Sequence, residues 1–132
     1  MFSEELIILN TAGQILFYYS PVSGTDCQTS DMLMGNFLVA IQQFAQAMTH
    51  GSVSGFEMQK KRILIRDSDK LPVFYVLIID QKSKIANKEK KLEDLITKVK
   101  QAFEKQYNED AITSWDGDAA AFCEFKNRFD KL

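Results

Sequence analysis

Two stretches of the chain, Leu6-Ile7-Ile8-Leu9 and Val73 to Ile79, carry no charged residue and no polar/apolar alternation. A strand with one wet face alternates, so runs of this kind belong to strands covered on both faces. Both are far shorter than the roughly 20 residues that cross a bilayer. The chain is therefore expected to place these two strands in the middle of a sheet, with helices on each side.

The remaining elements follow from turn chemistry and periodicity. Asn10-Thr11-Ala12-Gly13-Gln14 separates the first run from Ile15-Leu16-Phe17-Tyr18-Tyr19, which makes the opening a hairpin. Ser20 to Ser30 reads as loop, and Ser30 or Asp31 then starts a helix from Met32 to Thr49. Its residues Met34, Phe37, Leu38, Ile41, Phe44, Ala45 and Met48 hold the i, i+3, i+4 spacing, and His50-Gly51 is its stop. Strands are expected over Val53–Gln59, Arg62–Arg66 and Pro72–Ile79, as an antiparallel meander joined by short polar turns. A second helix spans Lys88 to Tyr107, with Leu92, Leu95, Ile96, Val99 and Phe103 on one stripe. Asp118 caps a last helix that turns Ala119, Phe122, Phe125, Phe129 and Leu132 inward. The order ββαβββαα predicts one α+β domain over residues 1–132, with Ile15–Tyr19 and Val53–Gln59 at the two edges of the sheet.

Composition narrows the function classes. With 16 Lys and Arg against 18 Asp and Glu, the chain has a net charge of -2, which lacks the basic excess that non-specific nucleic-acid binding relies on. The acidic start, Met1-Phe2-Ser3-Glu4-Glu5, is unlike a signal peptide, and no stretch suits a transmembrane helix. Cys27 and Cys123 lie far apart and form no Cys-x-x-Cys pattern; free buried thiols and a reducing, cytoplasmic setting are the expected reading, with one disulfide between them as the alternative. His50 is the sole histidine and is assigned to a helix end. No motif arranges a nucleophile with a base, no ligand spacing fits zinc or calcium, and no phosphate-binding Gly-rich loop occurs. The expectation is a non-enzymatic protein with no catalytic residue, cofactor or metal.

Two surfaces stand out instead. From Met32 to Thr49 the helix has no charged residue, and Asn36, Val39, Ala40, Gln43 and Ala47 fall on or between its outward positions. A solvated helix face is normally charged, and charge depletion marks interface cores. The edge Leu16, Phe17, Tyr18 and Tyr19 lacks Lys and Pro and would serve as a template for another chain. Together they form the expected pairing surface, for which ordinary burial is the competing account. The second is basic: eight lysines stand against four acids between residues 82 and 105, with Lys84, Lys88 and Lys91 as the candidate contact points for anionic lipid or an acidic partner. The competing account is a solvated helix face.

The local phrases Asn-Thr-Ala-Gly-Gln before Ile15, Gly35-Asn36-Phe37-Leu38-Val39-Ala40-Ile41, Phe56-Glu57-Met58 before Arg62, and Ser114-Trp115-Asp116-Gly117-Asp118 before the Phe-rich end resemble short stand-alone longin-like proteins, archaeal ones included. The resemblance covers nearly the whole chain. It implies a profilin-like sandwich: a five-stranded antiparallel sheet in the order 2-1-5-4-3, with one helix on one face and two C-terminal helices on the other. Roadblock proteins share a related sheet but begin with a helix, for which the five residues before Leu6 leave no room. Longin SNAREs continue into a heptad segment after the domain, which is not expected here. The resemblance further implies an interaction module of trafficking-like processes, a homodimer or a heterodimer with another longin or roadblock domain, acting on a Ras-like small GTPase. The alternatives are a small-ligand or peptide sensor on a profilin-like sheet, and a peripheral protein that binds anionic membranes.

Overall fold

The computed structural model describes residues 4–12, 14–21, 24–26, 55–58, 60–118 and 120–132. The two apolar runs lie side by side. β1 (Glu5–Asn10) and β6 (Val73–Asp80) pair antiparallel with Leu6 opposite Leu77 and Ile8 opposite Tyr75. Leu6 to Leu9, and Tyr75 to Leu77, are fully buried. Outward from β1 come β2 (Ile15–Ser20) and then β3 (Gly24–Asp26). Outward from β6 come β5 (Lys61–Asp67) and β4 (Gly55–Met58).

The sheet thus has six strands in the order β3-β2-β1-β6-β5-β4, which corrects the expected five in the order 2-1-5-4-3. The difference arises at Gly24-Thr25-Asp26. These are turn-type residues, yet they pair with β2, Tyr18 opposite Asp26 and Ser20 opposite Gly24. Backbone donors and acceptors of β2 recruit them, a tertiary effect that outweighs their low strand propensity.

The β1–β2 register shifts between Ile8 and Leu9, where Phe17 faces Ile8 and Ile15 faces Leu9. Leu16 is the extra residue of this bulge. As a result Leu16 and Phe17, adjacent in sequence, both join the larger core.

That core is filled by α1 (Glu89–Gln106), α2 (Glu109–Thr113) and α3 (Phe125–Phe129). Leu92, Ile96, Val99 and Phe103 form the buried stripe of α1. Phe103 lies 5.2 Å from Phe125, 6.0 Å from Phe122 and 4.7 Å from Tyr107, centroid to centroid, so the helices lock through aromatic rings. The opposite face of the sheet buries Ile7, Leu9, Ile63, Ile65, Val76 and Ile78, and no described helix contributes to it. The helix expected over Met32–Thr49, with His50 at its end, lies outside the described residues.

The last helix is shorter than expected. Asp118 accepts from the Ala120 amide through its side chain, but residues 121–125 advance by i to i−3 bonds, and an α-helical turn forms only from Phe125. Gly117 in the preceding connection has φ +91°, a conformation that side chains disfavour. Trp115 anchors this connection by donating from Nε1 to the Asp118 carbonyl at 2.9 Å and packing 5.7 Å from Phe122.

Cys123, half-buried among these turns, is disulfide-bonded, and no cysteine among the described residues is free. This corrects the expectation of free thiols. The chain's other cysteine, Cys27, lies outside the described residues.

Candidate functional site

The expected pairing strand is largely interior. Leu16 is 4% exposed, Phe17 3% and Tyr19 8%. Phe17 meets Phe125 edge-on at 5.0 Å and Phe129 at 5.5 Å, and Tyr19 meets Phe129 at 4.8 Å. Their side chains serve the core, because the bulge and the pleat turn them toward α3. Nor is β2 an open edge, since β3 runs along residues 18–20. Tyr18 is half-buried and stands opposite Ile7, on the other face of the sheet. Asn36, Val39, Ala40, Gln43 and Ala47 lie outside the described residues.

The basic residues are sorted in a way that composition does not reveal. Arg62 of β5 pairs with Glu89 and also donates to the Ala86 carbonyl at 2.7 Å. Four residues further along each element, Arg66 pairs with Glu93. Residues 62 and 66 share a face of β5 and residues 89 and 93 share a face of α1, which makes two parallel braces from sheet to helix. A third acid of α1, Glu104, accepts from the Tyr75 hydroxyl at 3.0 Å. Three of the four acids between residues 82 and 105 are therefore engaged by sheet residues, with Glu89 exposed beside Arg62, and Asp94 is exposed.

The lysines point the other way. Lys84, Lys88 and Lys91 are all exposed, as are Lys82, Lys90, Lys98 and Lys105. Lys100 reaches back to the Asp67 carbonyl at 3.1 Å. A second basic segment joins them: the Gln81 amide donates to the Lys60 carbonyl at 2.9 Å, and Lys61 lies 3.8 Å from Asp80. The Lys60-Lys61 turn and the loop from β6 to α1 thus share one end of the sheet. Lys60 and Lys61 belong to one of the short polar turns of the meander, and about twenty positions of sequence separate them from Lys82 and Lys84.

Groups tuned for acid–base chemistry are drawn toward neutrality. Burial, reinforced by Glu104, pushes the Tyr75 hydroxyl far above its usual range, and burial with Glu124 nearby raises Tyr107. Burial lowers Arg66, whose guanidinium is held by Glu93. A surface groove of about 510 Å³ runs between the Asp67–Leu71 turn and α1, lined by Asp69, Lys70, Thr97, Gln101 and Glu104 among others, with its charged side chains exposed or half-buried. It differs from the enclosed, largely apolar pocket that a small-ligand sensor requires. Among the described residues, no group of three or more His, Cys, Asp or Glu is placed to hold a metal ion, and no helix is long and apolar enough to cross a membrane.

No family model and no curated protein matches this sequence.

Proposed function

We propose that this chain is a non-enzymatic interaction module that pairs with a second copy of itself or with another longin or roadblock domain, and through that pairing binds or regulates a Ras-like small GTPase. The observation that carries the binding-module reading is where the ionisable groups stand. Arg62 and Arg66 are committed to braces, both tyrosines with resolved shifts move away from neutrality, and among the described charged residues only Glu4 is buried. That arrangement suits recognition by a surface better than chemistry in a cleft. The choice of partner class rests on the longin resemblance of the local phrases.

With Leu16, Phe17 and Tyr19 inside, the pairing surface narrows to Asn36, Val39, Ala40, Gln43 and Ala47 in the charge-free segment. The test is the solution mass of the full chain by light scattering across a dilution series, with a Val39→Glu variant, followed by calorimetric titration with nucleotide-loaded Ras-like GTPases and with longin and roadblock domains. A dimer that Val39→Glu splits into folded monomers, or micromolar binding to one of these partners, is expected. A monomer that binds none of them overturns the proposal.

A further inference from the structure

We propose that the end of the molecule bearing Lys60, Lys61, Lys82, Lys84, Lys88 and Lys91 is a docking surface for a bilayer containing anionic lipid. Two chain segments more than twenty residues apart supply these cations, and the backbone bond between Gln81 and Lys60 brings the segments together. The nearby acids are mostly engaged. Asp80 lies beside Lys61 and accepts from the Lys82 amide, and Glu89 is held by Arg62. Against the lysines stand Glu57, exposed in β4, Asp94, exposed one turn after Lys91 on α1, and Glu5, half-buried at the start of β1, while Glu4 is buried. Apart from Lys61, the six named lysines have no carboxylate partner among the described residues.

The identity of the cations favours a membrane over a structured acidic protein. Arg62 at this end and Arg66 further along β5 are used internally, in the planar forks that suit fixed carboxylates, while the exposed cations of this end are all lysines. A lysine is a mobile point charge on a flexible stem, suited to the diffuse negative potential of a fluid surface. Protein interfaces are instead centred on buried aromatic or arginine anchors. Among the described residues the one exposed large hydrophobic is Leu132, expected inward at the last helix, so attachment would be electrostatic and sensitive to salt.

The rest of the charge distribution would orient the molecule. Residues 106–132 carry Glu109, Asp110, Asp116, Asp118, Glu124 and Asp130 against Lys126, Arg128 and Lys131, a balance of -3. They follow the C-terminal end of α1, whose 18 residues span roughly 27 Å. That exceeds three screening lengths at physiological ionic strength, about 8 Å each. The acidic end therefore points into solvent when the lysine end meets the surface.

The experiment uses the full chain and sedimentation with vesicles of phosphatidylcholine alone or with added phosphatidylserine, at low and at high salt. Binding is expected only to the phosphatidylserine vesicles and only at low to physiological salt. Each lysine near the surface contributes roughly a fivefold gain in partitioning, so the Lys82→Gln/Lys84→Gln/Lys88→Gln variant should bind about a hundredfold more weakly. All three positions are exposed, so the variant should keep its circular dichroism and melting temperature; a Lys126→Gln/Lys131→Gln control should bind like the parent. Equal binding to both vesicle types, or full binding by the triple variant, overturns the proposal. So does binding to a polyglutamate peptide without binding to the anionic vesicles, which assigns the surface to an acidic protein. None of these outcomes depends on dimerisation or GTPase binding.

Discussion

Replacing Phe17 by alanine separates a core role from a surface role at the strand that first suggested pairing. The ring is 3% exposed and lies edge-on to Phe125 at 5.0 Å and beside Phe129 at 5.5 Å. Truncating a buried phenylalanine costs about 3–5 kcal/mol, depending on how far the surroundings collapse into the space. Collapse is limited here because Phe17 sits on β2, held between β1 and β3, while its ring partners belong to α3. A loss of about 4 kcal/mol is therefore expected, which is a drop of roughly 15 °C in melting temperature for a chain of this size. Thermal and urea unfolding followed by circular dichroism measures it, with light scattering on the same samples and an exposed Lys126→Ala control that should stay within about 0.5 kcal/mol of the parent. A Phe17→Ala protein that loses less than about 1 kcal/mol while changing its solution mass would place the ring at a surface and refute the reasoning.

Three further outcomes are expected. Tyr75 and Tyr107 are raised above the ordinary value of 10.0, mainly by burial, so above that pH the unfolded chain releases protons that the native state retains. Stability should then fall by up to about 1.4 kcal/mol per pH unit for each tyrosine, and Tyr75→Phe should make the alkaline slope in urea titrations shallower. Reduction of the Cys123 disulfide should lower stability by roughly 2–5 kcal/mol; an unchanged urea midpoint with and without reductant would contradict this. Arg66 and Glu93 form a partly exposed brace, so a double-mutant cycle on Arg66→Met and Glu93→Gln should return a coupling of only about 0.5–1 kcal/mol, and a value near zero would mean that the pair does not persist in solution.

The parts of this molecule that sequence reveals are those that local pattern determines. Leu6–Leu9 and Val73–Ile79 could be placed in the centre of a sheet because absence of alternation has one meaning for a short strand, and β1 and β6 are the central pair. The stripe Leu92, Ile96, Val99 and Phe103 was visible for the same reason, because its period is that of the helix it forms. What depended on distant partners was not visible. Gly24-Thr25-Asp26 is a strand only because β2 has free backbone groups to offer, and the sixth strand follows from that. The bulge at Leu16 comes from the register between β1 and β2, and it moves Leu16 and Phe17 into the core, away from the surface to which edge logic assigned them. The basic surface was half legible: Lys84, Lys88 and Lys91 stood out from the charge run. Lys60 and Lys61, and the withdrawal of Glu89 and Glu93 toward Arg62 and Arg66, appear only when β5 lies beside β6 and α1.

The position of Trp115 has a practical corollary. It is the only tryptophan, and it packs on Phe122 in the aromatic cluster at the C-terminal end of α1, about 20 Å along the helix from Lys88 to Lys91. The fluorescence of the protein is thus a built-in reporter of how the final segment seats against α1, blind to events at the opposite pole. Emission that shifts during urea unfolding but stays constant as vesicles are added would read folding and attachment on separate channels of one sample, with no label introduced.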